Sequence, residues 1–187
     1  MEMTIPEIAT IALSNSGPST LGELLSAGKK LPPEATTVLM QDHAEVKAMF
    51  AQCNLEKDQT TKAALAGRVC LALTVHAKIE EEIFYPEAGK ALEDDDLIAE
   101  AVEEHNEMKE QIAEIVEAGA AKKSAARPIK TLMQIVEHHV KAEEAEMFPD
   151  MRQTRIDLYE LGARLAAARV EALLTLRRQA AQAEGRL

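Results

Sequence analysis

One pattern occurs twice in this chain and constrains its fold more than any other feature. The segments HAKIEEEIFYP, which begins at His76, and HVKAEEAEMFP, which begins at His139, both read H-x-x-x-E-E-x-x-x-aromatic-P. A histidine and a glutamate four residues apart lie on the same face of an α-helix, one turn from each other. The pattern therefore predicts two helices, each of which presents an imidazole and a carboxylate together.

A second, shorter pattern precedes each of these segments. QDHAEVKAMF around His43 and EEHNEMKEQI around His105 share an acidic residue, the histidine, a glutamate two residues later and a lysine. His43 and His105 are 62 residues apart, and His76 and His139 are 63 residues apart. Two matched spacings indicate a duplicated helical hairpin, a repeat of only two units. Each half contributes one lone histidine and one H-x-x-x-E pair.

The composition favours helices and limits the classes of partner. Aromatic residues make up 3% of the chain and apolar residues 47%, with no Trp, a mixture typical of helical proteins. The formal net charge of −11 opposes general nucleic-acid binding, since no basic stripe is available for phosphates. No segment approaches the roughly 18 to 20 continuous apolar residues of a membrane-spanning helix.

The N-terminus and the cysteines indicate a cytoplasmic protein. The first residues, MEMTIPEIATIAL, lack the basic region of a secretory signal peptide. Cys53 and Cys70 form no C-x-x-C arrangement, so we expect two reduced thiols rather than a disulfide. We therefore predict cytoplasmic localisation, with no membrane and no nucleic acid as partner.

The spacing of apolar residues predicts five long helices. Four bundle helices are expected from after Pro33 to about 55, from 58–61 to about 90, from 94–96 to Gly119, and from about 128 to Pro149. A fifth helix is expected from about 153 onward. We predict an all-α protein with an antiparallel up-down four-helix bundle over 35–152. An N-terminal extension covers 1–34, and an extra C-terminal helix, over 153–187, packs on the bundle or on a partner subunit.

The histidines and the first glutamate of each pair fall on the apolar stripes of the four bundle helices. A polar or charged side chain that faces the core needs a hydrogen-bonding partner or a metal. Four imidazoles and two carboxylates exceed the three or four ligands of a zinc site and suit two metal ions. Such mixed ligands are compatible with iron. The predicted metal ligands are His43, His76, Glu80, His105, His139 and Glu143.

Four nearby residues are not predicted to be ligands. Glu81 and Glu144 recur in both copies, but each points about 100° away from the preceding glutamate. We expect them either to hydrogen-bond to ligands or to lie in solvent. His138 is likewise off the ligand face, so an exposed position or a contact with a ligand is expected. For Tyr85, packing is favoured over a hydrogen bond near the site.

The order H…H-x-x-x-E…H…H-x-x-x-E, over residues 37–152, resembles that of the hemerythrin-like, or HHE cation-binding, family. The resemblance implies a four-helix bundle that holds two iron ions joined by an oxo or hydroxo bridge. It also implies that Glu80 and Glu143 are bridging carboxylates. The expected partner is a small diatomic or peroxide ligand: O2, NO or peroxide.

The chain departs from oxygen-carrying hemerythrins at one position. Those proteins have a second histidine four residues after the one on the third helix, where this chain has Lys109, with Lys47 as its equivalent in the first half. The four-His, two-Glu set instead resembles proteins linked to the repair of iron centres or to iron and oxygen sensing. The departure therefore disfavours reversible oxygen transport.

The sequence leaves two functions open. The first is a di-iron protein that binds or reacts with O2, NO or peroxide in stress response or iron-centre repair, with or without catalytic turnover. The alternative is an iron- or oxygen-sensing binding module that signals through its C-terminal helix. A homo-oligomer formed through that helix also remains open.

Overall fold

A computed structural model describes residues 33–120 and 122–184 of the chain. Within these ranges the protein is helical and contains no strand, so the predicted all-α class is confirmed. Nearly all of the predicted N-terminal extension, 1–34, lies outside the described residues. None of the described helices is both long and apolar enough to cross a membrane.

The first half of the bundle is a helical hairpin. Helix α1 spans Ala35–Leu55, and helix α2 spans Gln59–Ile79. Without a break, α2 continues through a π-helical turn, Glu80–Phe84, into helix α3, Tyr85–Leu92.

The second half repeats this arrangement. Helix α4 spans Asp95–Ala118, and a 3₁₀ turn, Lys123–Ala125, leads to helix α5, Ala126–Ala142. A second π-helical turn, Glu143–Met147, joins α5 to helix α6, Phe148–Met151. The C-terminal helix, α7, spans Leu158–Glu184.

The predicted starts of two bundle helices are confirmed by side-chain caps. The carboxylate of Asp58 accepts a hydrogen bond from the backbone N–H of Thr61 at 2.8 Å, at the start of α2. Asp94 accepts one from the N–H of Leu97 at 3.0 Å, at the start of α4. Such caps satisfy N–H groups that have no partner within the helix. The C-terminal helix begins later than predicted, because Asp157 caps it by accepting the N–H of Glu160 at 2.9 Å.

The π-helical turns lie on the repeated motif itself. Each begins at the predicted ligand glutamate, Glu80 or Glu143, and each is followed by a proline in the first turn of the next helix. Proline has no N–H, and its ring collides with the carbonyl four residues earlier, so an ordinary α-helical turn is disfavoured there. A π turn accommodates one extra residue and is frequent at functional sites.

Two apolar cores fill the two ends of the bundle. One contains Val46, Phe50, Leu73 and Val136 among its members. The other contains Leu39, Phe84 and Phe148, together with Leu161 and Leu165 of α7. Helix α7 packs along α1 and α2, which agrees with the first of the two positions predicted for it. Both cysteines are buried free thiols.

Candidate metal centre

The six predicted ligands form one buried layer between the two cores. Each is at most 3% exposed. Five of them offer ligand atoms that all lie within 4.8 Å of one another: His43, His76, Glu80, His139 and Glu143. The sixth, His105, has its Nε2 atom 3.3 Å from Glu80 Oε2 and 3.3 Å from His139 Nε2. The fold therefore brings the whole predicted set together.

The imidazoles are arranged in two pairs, one from each hairpin. Nε2 of His43 lies 3.2 Å from Nε2 of His76, and the same atoms of His105 and His139 are 3.3 Å apart. We call these the first-hairpin pair and the second-hairpin pair. The pairs correspond to each other under the internal repeat.

The two buried carboxylates lie between the pairs. Oε2 of Glu80 is 3.0 Å from Nε2 of His76 and 3.3 Å from Nε2 of His105. Oε2 of Glu143 is 3.3 Å from Nε2 of His43 and 3.4 Å from Nε2 of His139. Each carboxylate thus contacts one imidazole from each half.

The outward-facing nitrogen of every imidazole contacts a carboxylate. The distances from Nδ1 are 3.0 Å for His43 to Glu144, 3.5 Å for His76 to Asp42, 2.9 Å for His105 to Glu81 and 2.9 Å for His139 to Glu104. A carboxylate accepts a hydrogen bond from Nδ1–H and so fixes the tautomer of the ring. The Nε2 lone pairs then face the centre, as in metal-binding histidines.

This geometry fits a cation better than it fits hydrogen bonds alone. Where both Nε2 atoms of a pair are unprotonated they cannot hydrogen-bond, so a proton or a metal ion must lie between them. Oε1 of Glu80 and Oε2 of Glu143 are buried and have no hydrogen-bond partner among the described residues. Unpaired buried carboxylate oxygens are costly unless a cation neutralises them. Nitrogen and oxygen donors in this number suit two ions of a metal such as iron.

In the metal-free site, protons on the histidines supply the positive charge that metal ions would otherwise provide. Burial alone would lower the pKa of His76, but the charge of Glu80 and the hydrogen bonds to Asp42 and Glu80 outweigh it and raise the pKa to about 10. The pKa of His105 is also raised, because hydrogen bonds to Glu80 and Glu81 outweigh its burial. Burial would raise the pKa of Glu80, yet the adjacent His76 and His105 hold it well below its usual range. The layer thus attracts positive charge.

Tyr85 packs in the core, as predicted, and also makes the hydrogen bond that the sequence did not favour. Its hydroxyl donates a hydrogen bond to Oε1 of Glu143 at 2.9 Å and lies 3.3 Å from Nε2 of His105. Burial and the charges of Glu80 and Glu143 raise the pKa of Tyr85 well above its ordinary value, so the phenol stays protonated. Its repeat counterpart, Phe148, stacks on His43 with ring centroids 5.7 Å apart.

Two carboxylates of the centre were missed by the sequence analysis. Asp42 and Glu104, the Nδ1 partners of His76 and His139, each directly precede the lone histidine of their half. Their recurrence in QDH and EEH was the available signal. Glu81 and Glu144 do hydrogen-bond to ligands, which was one of their two expected roles. The side chain of His138 is exposed and contacts Glu104 at 2.6 Å.

An apolar pocket adjoins the first-hairpin pair. Its water-accessible volume is about 10 Å³. The walls combine aliphatic side chains with residues of the centre: Val46, Leu73, Val136, Val140, Asp42, His43, His76 and His139. The space beside the imidazoles is therefore about the size of one water molecule.

Comparison with known families agrees with this geometry. The family model described as Hemerythrin HHE cation binding domain matches residues 34–151, well over half of the chain. The chain belongs to the hemerythrin HHE cation-binding family. The same family model also matches residues 96–183, so the two matches begin 62 residues apart, the spacing between His43 and His105.

Two relatives of this hemerythrin-family chain extend the comparison. A solved structure of a hemerythrin HHE cation binding domain-containing protein from Mycobacterium kansasii superposes with a TM-score of 0.67 at 22% sequence identity, covering 76% of this chain and 89% of that one. This similarity supports the helical fold. A protein named DNA nickase, from Nostoc sp. (strain PCC 7120 / SAG 25.82 / UTEX 2576), is 28% identical over 115 residues, which is 62% of this chain. The chain spans about a third of that relative, 32% of its length.

Proposed function

We propose that this protein holds two iron ions, joined by an oxo or hydroxo bridge, at His43, His76, Glu80, His105, His139 and Glu143. With them it binds or reacts with O2, NO or peroxide in stress response or iron-centre repair. The observation that carries the proposal is the pairing of the imidazoles, with a carboxylate contacting both pairs on each side. Membership of a cation-binding family supports the metal, and the choice of iron rests on the donor set.

The residues around the centre have distinct roles in this proposal. Iron would supply the redox chemistry, as cofactors generally do. The four outer carboxylates orient the imidazoles through Nδ1. The hydroxyl of Tyr85 donates its proton to Oε1 of Glu143, with 2.9 Å between the two oxygens, and the two apolar cores limit access of water. Lys109 pairs with Glu81 at 2.7 Å, at the position where oxygen carriers have another histidine, so reversible oxygen transport is not proposed.

The decisive experiment is metal analysis of protein purified without oxygen, followed by optical spectra on addition of O2, NO or peroxide. Two irons per chain and a new oxo-bridge or nitrosyl band are expected. One zinc per chain and no spectral response would overturn the proposal. We place this chemistry in the cytoplasm. DNA nicking is not extended from the Nostoc relative, since the chain spans a third of it and its charge of −11 opposes contact with phosphates.

The second candidate function is an iron- or oxygen-sensing module that signals through α7. It is favoured by one contact: Arg169 of α7 pairs with Asp42, the carboxylate that contacts Nδ1 of His76. A change at the metal centre would then alter the attachment of the helix.

Hydrogen exchange tests this second function. Sensing predicts that removal of the metal speeds amide exchange within 158–184, the helix that Arg169 attaches to Asp42. Equal protection of α7 in metal-free and metal-loaded protein would exclude signalling through that helix.

A further inference from the structure

We propose that Arg169, on the C-terminal helix, is a positioning residue that makes the two metal positions unequal in affinity. By pairing with Asp42, it weakens the support of His76 and leaves the metal beside the first-hairpin pair more loosely held than the other. The inference rests on the two-metal centre proposed above and adds a regulatory residue outside the ligand set.

The Nδ1 contacts of the four imidazoles are not equivalent. Three of them measure 2.9 to 3.0 Å, and the fourth, from His76 to Asp42, measures 3.5 Å. A hydrogen bond to Nδ1 weakens as it lengthens, and such bonds raise the basicity of a metal-binding imidazole. The Nδ1 contact of His76 is the longest of the four.

Comparison across the internal repeat identifies two causes. Asp42 corresponds to Glu104 in the second half, and the aspartate side chain is one methylene shorter. The contacts also differ: Asp42 presents the same oxygen, Oδ2, to both His76 and Arg169. Glu104 instead uses Oε2 for His139 and Oε1 for His138.

A shared carboxylate oxygen is a weaker acceptor for the imidazole. The guanidinium carries a permanent charge and forms strong, charge-assisted hydrogen bonds with carboxylates. The side chains of Arg169 and Asp42 are 21% and 13% exposed, so water screens this pair only partly. Lys109 likewise shares Oε1 of Glu81 with His105, and there the distance to His105 stays at 2.9 Å. The side chain of Lys109 is 48% exposed, so water screens its charge more than that of Arg169.

The test is a stepwise titration of metal-free protein with Fe(II) under exclusion of oxygen, in competition with a chelator of known affinity. Wild-type protein is expected to bind two ions with affinities that differ by about 10-fold or more, the range typical of changes in the groups that support a ligand. Arg169→Gln should tighten the weaker step several-fold and leave the tighter step unchanged. The charge of Asp42 is then available to His76 alone.

A matched control is present on the same helix. Arg164 pairs with Glu87 at 3.2 Å and with Glu160, neither of which contacts an imidazole of the centre. Arg164→Gln should change neither step. A tightening of both steps in both variants would indicate a general charge effect and would overturn the inference.

Two exchanges of side-chain length test the other difference between the halves, the shorter side chain of Asp42. Asp42→Glu should tighten the weaker step, because the longer side chain can approach Nδ1 of His76 as closely as Glu104 approaches Nδ1 of His139. Glu104→Asp should loosen the tighter step. If Arg169→Gln does not fold, Arg169→Met, which also removes the charge, carries the test in its place.

Failure of the role of Arg169 and failure of the proposed function would give different results. Two equal wild-type affinities, or a looser weak step in Arg169→Gln, would overturn the role of Arg169 while leaving a two-metal centre. Binding of a single ion per chain would instead overturn the proposed function.

Discussion

Tyr85 and Phe148 occupy equivalent places in the two halves and differ by one hydroxyl group. Tyr85 packs on His105 with ring centroids 5.4 Å apart, as Phe148 packs on His43. The hydroxyl of Tyr85 also donates to Glu143. A centre built from a nearly symmetric repeat thus has a proton donor on the His105 side and an aromatic hydrocarbon on the His43 side.

Tyr85→Phe removes that donor. Oε1 of Glu143 then loses its hydrogen bond in a buried position, which costs about 1–3 kcal/mol. We expect the free energy of unfolding of metal-free protein, measured with urea, to fall by this amount. Tyr159→Phe is the control, because Tyr159 is 57% exposed and its loss should have little effect. Equal stability of Tyr85→Phe and wild type would contradict the hydrogen bond.

Metal and protons compete for His76. With its pKa raised to about 10, His76 carries a proton in metal-free protein at neutral pH, and a metal ion must displace it. Metal binding at pH 7 should therefore release protons, and the affinity should increase as the pH rises from 7 toward 10. In metal-free protein the same proton stabilises the fold fully below pH about 6.5, and this contribution is lost as the pH rises through about 10.

Calorimetric titrations in buffers of different ionisation enthalpy measure this proton release. The expected result is a binding enthalpy that depends on the buffer at pH 7. An enthalpy independent of the buffer would show that no proton leaves the site.

At the scale of the elements, a close backbone approach joins the C-terminal helix to the start of the bundle. A Cβ atom on Gly162 of α7 would lie 2.2 Å from the carbonyl oxygen of Pro33 and 3.0 Å from the backbone N of Ala35. Only a residue without a side chain allows the helices to pack this closely. Gly162 therefore fixes the position of α7 on α1.

Gly162→Ala and Gly89→Ala should have opposite effects. At Gly162 the added methyl group meets backbone, so the helices must separate, and we expect a loss of about 1–3 kcal/mol. At Gly89, inside α3, the nearest atom is Cγ1 of Ile98 at 3.6 Å, an ordinary contact, so alanine should stabilise by about 0.5–1 kcal/mol. Thermal unfolding of both variants checks this, and a stabilised Gly162→Ala would contradict the close approach.

Some features of the helices could be predicted from the sequence and others could not. Caps at Asp58 and Asp94 and the period of apolar residues predict the starts of α2 and α4, because these signals act within one helical turn. The π turns at Glu80 and Glu143 were not predicted. Each π turn has to accommodate both the proline that follows the motif and the packing of side chains at the centre.

The site residues that could be predicted from the sequence are those that recur in both halves of the repeat. Matched spacings brought out the six proposed ligands, whereas the hydrogen bond of Tyr85 to Glu143 spans 58 residues and that of Arg169 to Asp42 spans 127. No local spacing rule predicts contacts of that range. They follow from how the hairpins and α7 pack.

At the scale of the whole molecule, the polar layer divides the bundle into two apolar cores. The layer joins all four bundle helices through His43, His76, His105 and His139, and its two carboxylates are the costliest groups to leave without a cation. A metal that binds only the folded layer must therefore stabilise the entire bundle. The melting temperature should report metal occupancy directly.

Removal of metal by a chelator should lower the melting temperature, and readdition of Fe(II) without oxygen should restore it. At a free metal concentration about 1,000 times Kd, the expected stabilisation is about 4 kcal/mol. His76→Ala combined with His139→Ala removes one imidazole from each pair and should abolish this dependence. The control is His138→Ala, since the adjacent exposed imidazole lies outside the layer and its loss should preserve the response. If the double variant keeps its metal content and its metal-dependent melting temperature, the bundle is a helical scaffold in which metal is incidental.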